Sequence, residues 1–255
     1  MSASLSGRGL RVSGLTLWVL TAFIGAQLLS IGVFIVAAQF MPILASLDPT
    51  VLTISTTSLS YLLAFGAVAG VHQLRSAGRQ WDIFGLTRTL SWSDMGIGAL
   101  AILPYLLISY SLVLLFATAT DMIDPQQRQA LPFQDLGERY QYIIAFIALV
   151  VLAPIAEELM FRGYFLGKMT GYINRWAAVM LTSLIFGLLH LPGEVTASGM
   201  TLQWAAAVDT FALGLVLGAL RLLTGSVWSS ILLHMFKNAI AYFSLFVLPL
   251  LAGTM

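Results

Sequence analysis

Tyr140–Leu166 reads YQYIIAFIALVVLAPIAEELMFRGYFL. It is long and apolar enough to cross a bilayer as a helix, which takes about 20 residues. Yet the same run holds two adjacent carboxylates, Glu157 and Glu158, followed by Arg162. A charged residue at the centre of a membrane helix costs about 2.5–3.5 kcal/mol on insertion scales. The stretch therefore sets two expectations together: a membrane helix, and a functional reason for the acids inside it.

Outward from this run the apolar pattern repeats. The chain is 59% hydrophobic and only 9% charged, with a mean hydropathy of +0.92. Soluble domains are about 45–50% apolar and about 25% charged. The composition predicts an all-α, polytopic transmembrane helix bundle. Seven segments qualify, approximately Leu15–Phe40, Val51–Leu74, Trp92–Thr118, Tyr140–Leu166, Ile173–Leu191, Leu202–Leu223 and Val227–Leu251. An eighth span arises if the last one breaks near Pro249. No soluble domain fits between them, so residues 1–255 read as one transmembrane domain. The first apolar run exceeds the core of a signal peptide, about 7–15 residues, and reads as an uncleaved first helix.

Charge sets the expected orientation. With the N-terminus in the cytoplasm, nine of the twelve basic residues fall on the cytoplasmic side, as the positive-inside rule requires. They are Arg8, Arg11, Arg75, Arg79, Arg88, Arg162, Lys168, Arg175 and Arg221. The polar stretch from Thr118 to Arg139 falls outside and reads as an extramembrane loop or surface helix. A net charge of +1 offers no large basic surface for nucleic acid. The absence of cysteine removes disulfides, cysteine metal sites and a cysteine nucleophile. Gly66/Gly70 and Gly214/Gly218 are Gly-x-x-x-Gly pairs, read as internal packing rather than a dimer interface.

Glu158 and Arg162 stand four apart with the acid first, the favourable order for a helical ion pair. Glu157 lies about 100° round the helix and is left free to act as a base. The alternative is a structural ion-pair cluster at the helix end. His190 and His234 both lie within apolar segments, and His234 and Asn238 share one helical face. Polar groups in hydrocarbon must find partners, and these are each other's natural company. At 1.5 Å per residue, Glu157, His190 and His234 lie about 16, 24 and 10–12 Å from one end of the bundle, so a shared site is feasible. Glu157, His190 and His234 also make up the His2Glu count of a zinc site, although no His-Glu-x-x-His helix occurs. Asp209 is an intramembrane acid of open role. Lys237 is expected to snorkel to the interface, His72 to sit at the interface, and Glu194 to be a solvated loop acid. No serine lies in a Gly-x-Ser-x-Gly frame.

Several motifs occur in order. They are Glu157-Glu158-x-x-x-Arg162, Phe186-x-x-x-His190, Phe211-x-x-Gly214-x-x-x-Gly218, Thr224-Gly225-Ser226-Val227-Trp228 and His234-x-x-x-Asn238. Together they resemble the CPBP family: the type II CAAX prenyl endopeptidases (Rce1-like) and the Abi intramembrane proteases. The resemblance covers roughly residues 154–238, about a third of the chain. It implies an intramembrane endopeptidase acting on a membrane-associated protein or peptide. In that reading Glu157 activates water, His190 holds the water or helps move its proton, and His234 and Asn238 steady the oxyanion. Glu158 and Arg162 are supporting. The family is described both as metalloprotease and as glutamate protease. Metal-independent glutamate chemistry is the first reading and a Zn2+ site the second. Two other functions compete: a non-catalytic membrane partner (immunity or scaffold), and a transporter with a buried Glu/His pathway. The natural substrate, its prenylation and the oligomeric state are not legible.

Overall fold

The computed structural model describes residues 2–76, 81–120, 123, 131, 133, 136–196 and 199–252. Most of the loop expected between 118 and 139, including Asp121, Asp124, Arg128 and Asp135, lies outside these residues, as does Arg79.

Seven helical rods carry the fold: α1 (Ser2–Phe40), α2 (Pro49–Arg75), α3 (Trp92–Ala119), α4 (Arg139–Met169), α5 (Arg175–Leu188), α6 (Trp204–Thr224) and α7 (Trp228–Ala252). The expected all-α polytopic bundle is the fold observed. Six rods are long and apolar enough to cross a membrane. The seventh, α5, has 14 residues, which at 1.5 Å each is about 21 Å, short of a hydrocarbon core of about 30 Å. The last segment continues as helix through Pro249, so the described residues hold no eighth span. One element was not foreseen. A short antiparallel hairpin, β1 (Pro192–Thr196) and β2 (Gly199–Leu202), joins α5 to α6.

The rods do not share burial equally. Over an 18-residue apolar stretch of each rod, 56% of the residues are buried in α4 and in α6, against 17–28% in α1, α2 and α3. α4 is thus the axis of the bundle: α2 packs along it, α5 and α6 lie against its later half, α7 against its middle, and α1 touches its end. Large apolar side chains such as Leu28, Ile35, Leu103 and Leu107 point outward from α1 and α3, as lipid-facing helices require.

Specific polar locks hold the rods in register. Asp48 caps α2 by accepting from the Thr50 and Val51 amides, and Gln141 of α4 donates to the same carboxylate at 3.0 Å. Asp94, fully buried at the start of α3, accepts a bidentate pair from Arg88 at 2.5 and 2.7 Å and a hydroxyl from Ser229 of α7. Those bonds push the Arg88 pKa up.

The course of α4 follows from Pro154. Residues 147–152 form a π-helical turn, a feature frequent at functional sites. The Ala153 amide bonds back to Ala148 O, so the next carbonyl, Leu149 O, would need an amide at position 154. Proline has none. The chain repeats the device in α7, where a π turn at 243–247 precedes Pro249. A further π turn, residues 159–165, has no proline behind it. There Gly163 and Gly167 lie against the backbone of Phe84 and Ile83, close enough that a Cβ would clash at 2.9 and 2.8 Å.

Small residues set the α5–α6 contact. A Cβ on Gly214 would meet Ser183 at 2.9 Å and Arg162 Nη2 at 3.1 Å, and one on Gly218 would meet Val179 at 2.8 Å. This pair is internal packing. Gly66 and Gly70 have nothing within 4 Å of a Cβ among the described residues, so internal packing does not account for this pair there.

Candidate active site

Glu157, Glu158 and Arg162 project from the centre of α4, all less than 4% exposed. The expected helical ion pair forms: Arg162 Nη1 donates to Glu158 Oε1 at 2.9 Å. The same oxygen also takes His234 Nδ1 of α7 at 3.1 Å. Glu158 thus sits between a guanidinium and an imidazole, and it orients the His234 ring. The other imidazole nitrogen, Nε2, faces Glu157 Oε2 at 3.9 Å, too far for a direct hydrogen bond.

Phe186 explains its place in the motif. The Arg162 guanidinium lies over its ring at 4.2 Å, a cation–π contact. His190 and His234 meet the same ring edge-on, with centroids 4.9 and 6.0 Å away. The Phe186 carbonyl bonds His190 Nδ1 at 2.9 Å. A carbonyl can only accept, so Nδ1 carries the proton and Nε2 of the neutral ring is an acceptor.

Asn238 has a structural task. Its Nδ2 donates at 2.9 Å to Leu149 O, the carbonyl that Pro154 leaves without an amide. One amide hydrogen of Asn238 is thus committed to α4 and the second is not. Glu157, His190, His234 and Asn238 line one cavity of about 250 Å3, together with Tyr61, Thr57, Phe23 and Gln27 from α1 and α2.

Family comparison gives the same region. A family model described as type II CAAX prenyl endopeptidase Rce1-like matches residues 139–240. This stretch belongs to the Rce1-like family. It contains every motif quoted from the sequence, from Glu157 to Asn238. A 45-residue segment is also 47% identical to the UPF0177 protein YbdI of Lactococcus lactis subsp. lactis (strain IL1403), covering 18% of this chain and 23% of that relative. The chain therefore matches under a quarter of the relative's length. No solved structure matches. The spans and the family together describe a multi-pass integral membrane protein.

Outside the Rce1-like stretch, Tyr61 was not singled out by the sequence. It lines the same cavity as Glu157, and no pattern in α2 sets it apart from other membrane tyrosines. Other expectations need correction. Lys237 does not snorkel: it turns to Asp209, Nζ to Oδ2 at 3.6 Å, and lines the cavity. Asp209 in turn accepts from Tyr105 at 2.8 Å and from Ser109, tying α3, α6 and α7 together. His72, in the last turn of α2, is buried within the bundle, packed edge-on against Phe84 and Tyr164. The Glu194 side chain lies outside the description.

The His2Glu expectation was also tested against geometry. Among the described residues no three His, Asp or Glu side chains converge closely enough to hold a metal ion. Glu157, His190 and His234 share a cavity without closing into a ligand set, so no step below is routed through Zn2+.

Proposed function

We propose that the protein is an intramembrane endopeptidase that hydrolyses a peptide bond of a membrane-associated protein or peptide, in CAAX-type or related processing. The observation that carries this reading is the convergence of Glu157, His190, His234 and Asn238 on one cavity within the bundle.

The chemistry assigns each group a task. Glu157 takes a proton from a water molecule as its oxygen attacks the scissile carbonyl carbon. Gaps near 4 Å, such as that between Glu157 and His234 Nε2, suit a bridging water rather than a direct contact. His190 presents an Nε2 acceptor to the same space and helps hold that water. The negative charge that develops on the carbonyl oxygen is met by the second amide hydrogen of Asn238 and by His234, which, with Nδ1 committed to Glu158, donates from Nε2 as the imidazolium. Glu158 holds His234 in one ring orientation, the third-group role seen in catalytic triads, while Arg162 balances Glu158. Collapse of the intermediate breaks the C–N bond, and the proton held by Glu157 passes to the departing amine. The N-terminus is assigned to the cytoplasm on the distribution of basic residues.

Glu157→Gln keeps the shape of the site and removes the base. Mass spectrometry of membranes containing wild-type or variant protein reads the outcome. Wild type should generate peptide termini that the variant forms at least about 10²-fold more slowly, the scale of a lost general base. Equal cleavage by both proteins would falsify the mechanism. Metal content of the purified, active protein should be well below one equivalent.

A further inference from the structure

Arg162 also lines a second cavity, of about 370 Å3, which His234 does not reach. Its wall is built from Arg162 of α4, Thr170 just after that helix, Arg175 at the start of α5, Arg221 in the last turn of α6, Gly225 just after it, and the 3-10 turn carrying Asp82. The cavity thus gathers residues from or near the ends of several helices. Three guanidiniums therefore face one carboxylate.

Two of the guanidinium nitrogens there have no acceptor among the described residues. Arg162 uses Nη1 on Glu158, but its Nη2 is buried with no acceptor among the described residues. Arg221 Nε is likewise buried and unpartnered, held against Gly85, whose φ of 75° and missing side chain make the room. A Cβ on Gly85 would sit 2.7 Å from that nitrogen. Arg175 makes one long bond, 3.4 Å, to Leu222 O. Among the described residues no carboxylate lies within 4.0 Å of Arg175 or Arg221. Basic residues at the ends of α4 and α6 do complement the helix dipoles, but that role needs no cavity and leaves no buried N–H unanswered. Buried guanidinium N–H groups without acceptors are costly, and a planar fork of donors matches phosphate oxygens.

We propose that this cavity binds a phosphate group, either free or as the headgroup phosphate of an anionic phospholipid, through Arg175, Arg221 and Arg162 Nη2. The proposal does not rest on the peptidase reading. Because Arg162 also holds Glu158, the bound anion would share a guanidinium with the candidate active site.

The test uses the full chain purified in detergent, with thermal unfolding and native mass spectrometry as readouts. One arm adds inorganic phosphate against chloride at equal ionic strength. The other adds phosphatidylglycerol against diacylglycerol, which lacks the phosphate. One phosphate-bearing molecule per chain and a raised unfolding temperature are expected in at least one arm. A response in the first arm identifies free phosphate as sufficient, and a response in the second arm alone identifies the lipid. The Arg175→Gln/Arg221→Gln double variant should bind at least about tenfold more weakly, the scale of a lost charged hydrogen bond, while Arg175→Lys/Arg221→Lys keeps most of the binding. No adduct and no shift for wild type in either arm overturns the proposal without recourse to any variant. So does undiminished binding by a folded Gln double variant.

Discussion

At the scale of single residues, the burial of Arg162 decides how its variants behave. Arg162→Ala leaves Glu158 in the core with only His234 against it, and breaking a buried ion pair by removing one partner costs about 3–5 kcal/mol. Arg162→Lys restores the charge but loses the planar face that lies on Phe186, so it should recover only part of the loss. Unfolding midpoints of the two proteins in detergent check the order: wild type, Lys, Ala. The Glu158–Arg162 pairing was legible because i to i+4 spacing is a local rule. Its second partner, His234, was not, because a contact across 76 residues of sequence leaves no local trace. Tyr61 was missed for the same reason: its meaning comes from facing Glu157 across two helices.

At the scale of the helix, Pro154 and Asn238 form one device. Asn238→Ala should cost about 1–3 kcal/mol by stranding the Leu149 carbonyl. Pro154→Ala supplies an amide at the position where the π ladder lacks one, so the Asn238 substitution should cost less in that background. A double-mutant cycle by reversible unfolding should give a coupling of at least about 0.5 kcal/mol, and additive effects would contradict the account of the π turn. The Gly-x-x-x-Gly pairs separate in the same way. Gly214→Ala drives a methyl into Ser183 and Arg162 and should destabilise by about 1–3 kcal/mol. Gly66→Ala meets nothing and gains helix propensity, so it should be neutral or slightly stabilising. The two motifs read alike in sequence because spacing specifies a flat face, not what lies on it. Hydropathy likewise located all seven rods but could not shorten α5 or reveal the hairpin after His190, since an apolar run does not say where the chain turns.

At the scale of the molecule, the candidate active site is larger than its family signature. Phe23, Gln27, Thr57 and Tyr61 wall the cavity, yet α1 and α2 lie outside residues 139–240. Deleting residues 2–41, which keeps Asp48, should leave α4 to α7 inserted, as protease protection of loop tags can show, while cleavage is lost with the wall that α1 supplies. Among the described residues α1 packs chiefly against α2, residues 159–165 of α4 and the short helix Pro42–Ala45 that follows α1, which is why its removal should spare the rest. The π turns have a further meaning for how such a bundle can change length. A π turn holds one residue more than an α turn, so α4 carries a surplus at 147–152. Deleting one residue there would let the turn close with α-helical spacing, although Pro154 would still leave one carbonyl without an amide. The segment before it would be turned by about 100°, and Gln141 and Tyr142 would point away from Asp48 and Tyr242, which they now meet. The surplus residue works as a phase setting: it lets the two halves of one helix answer to different neighbours.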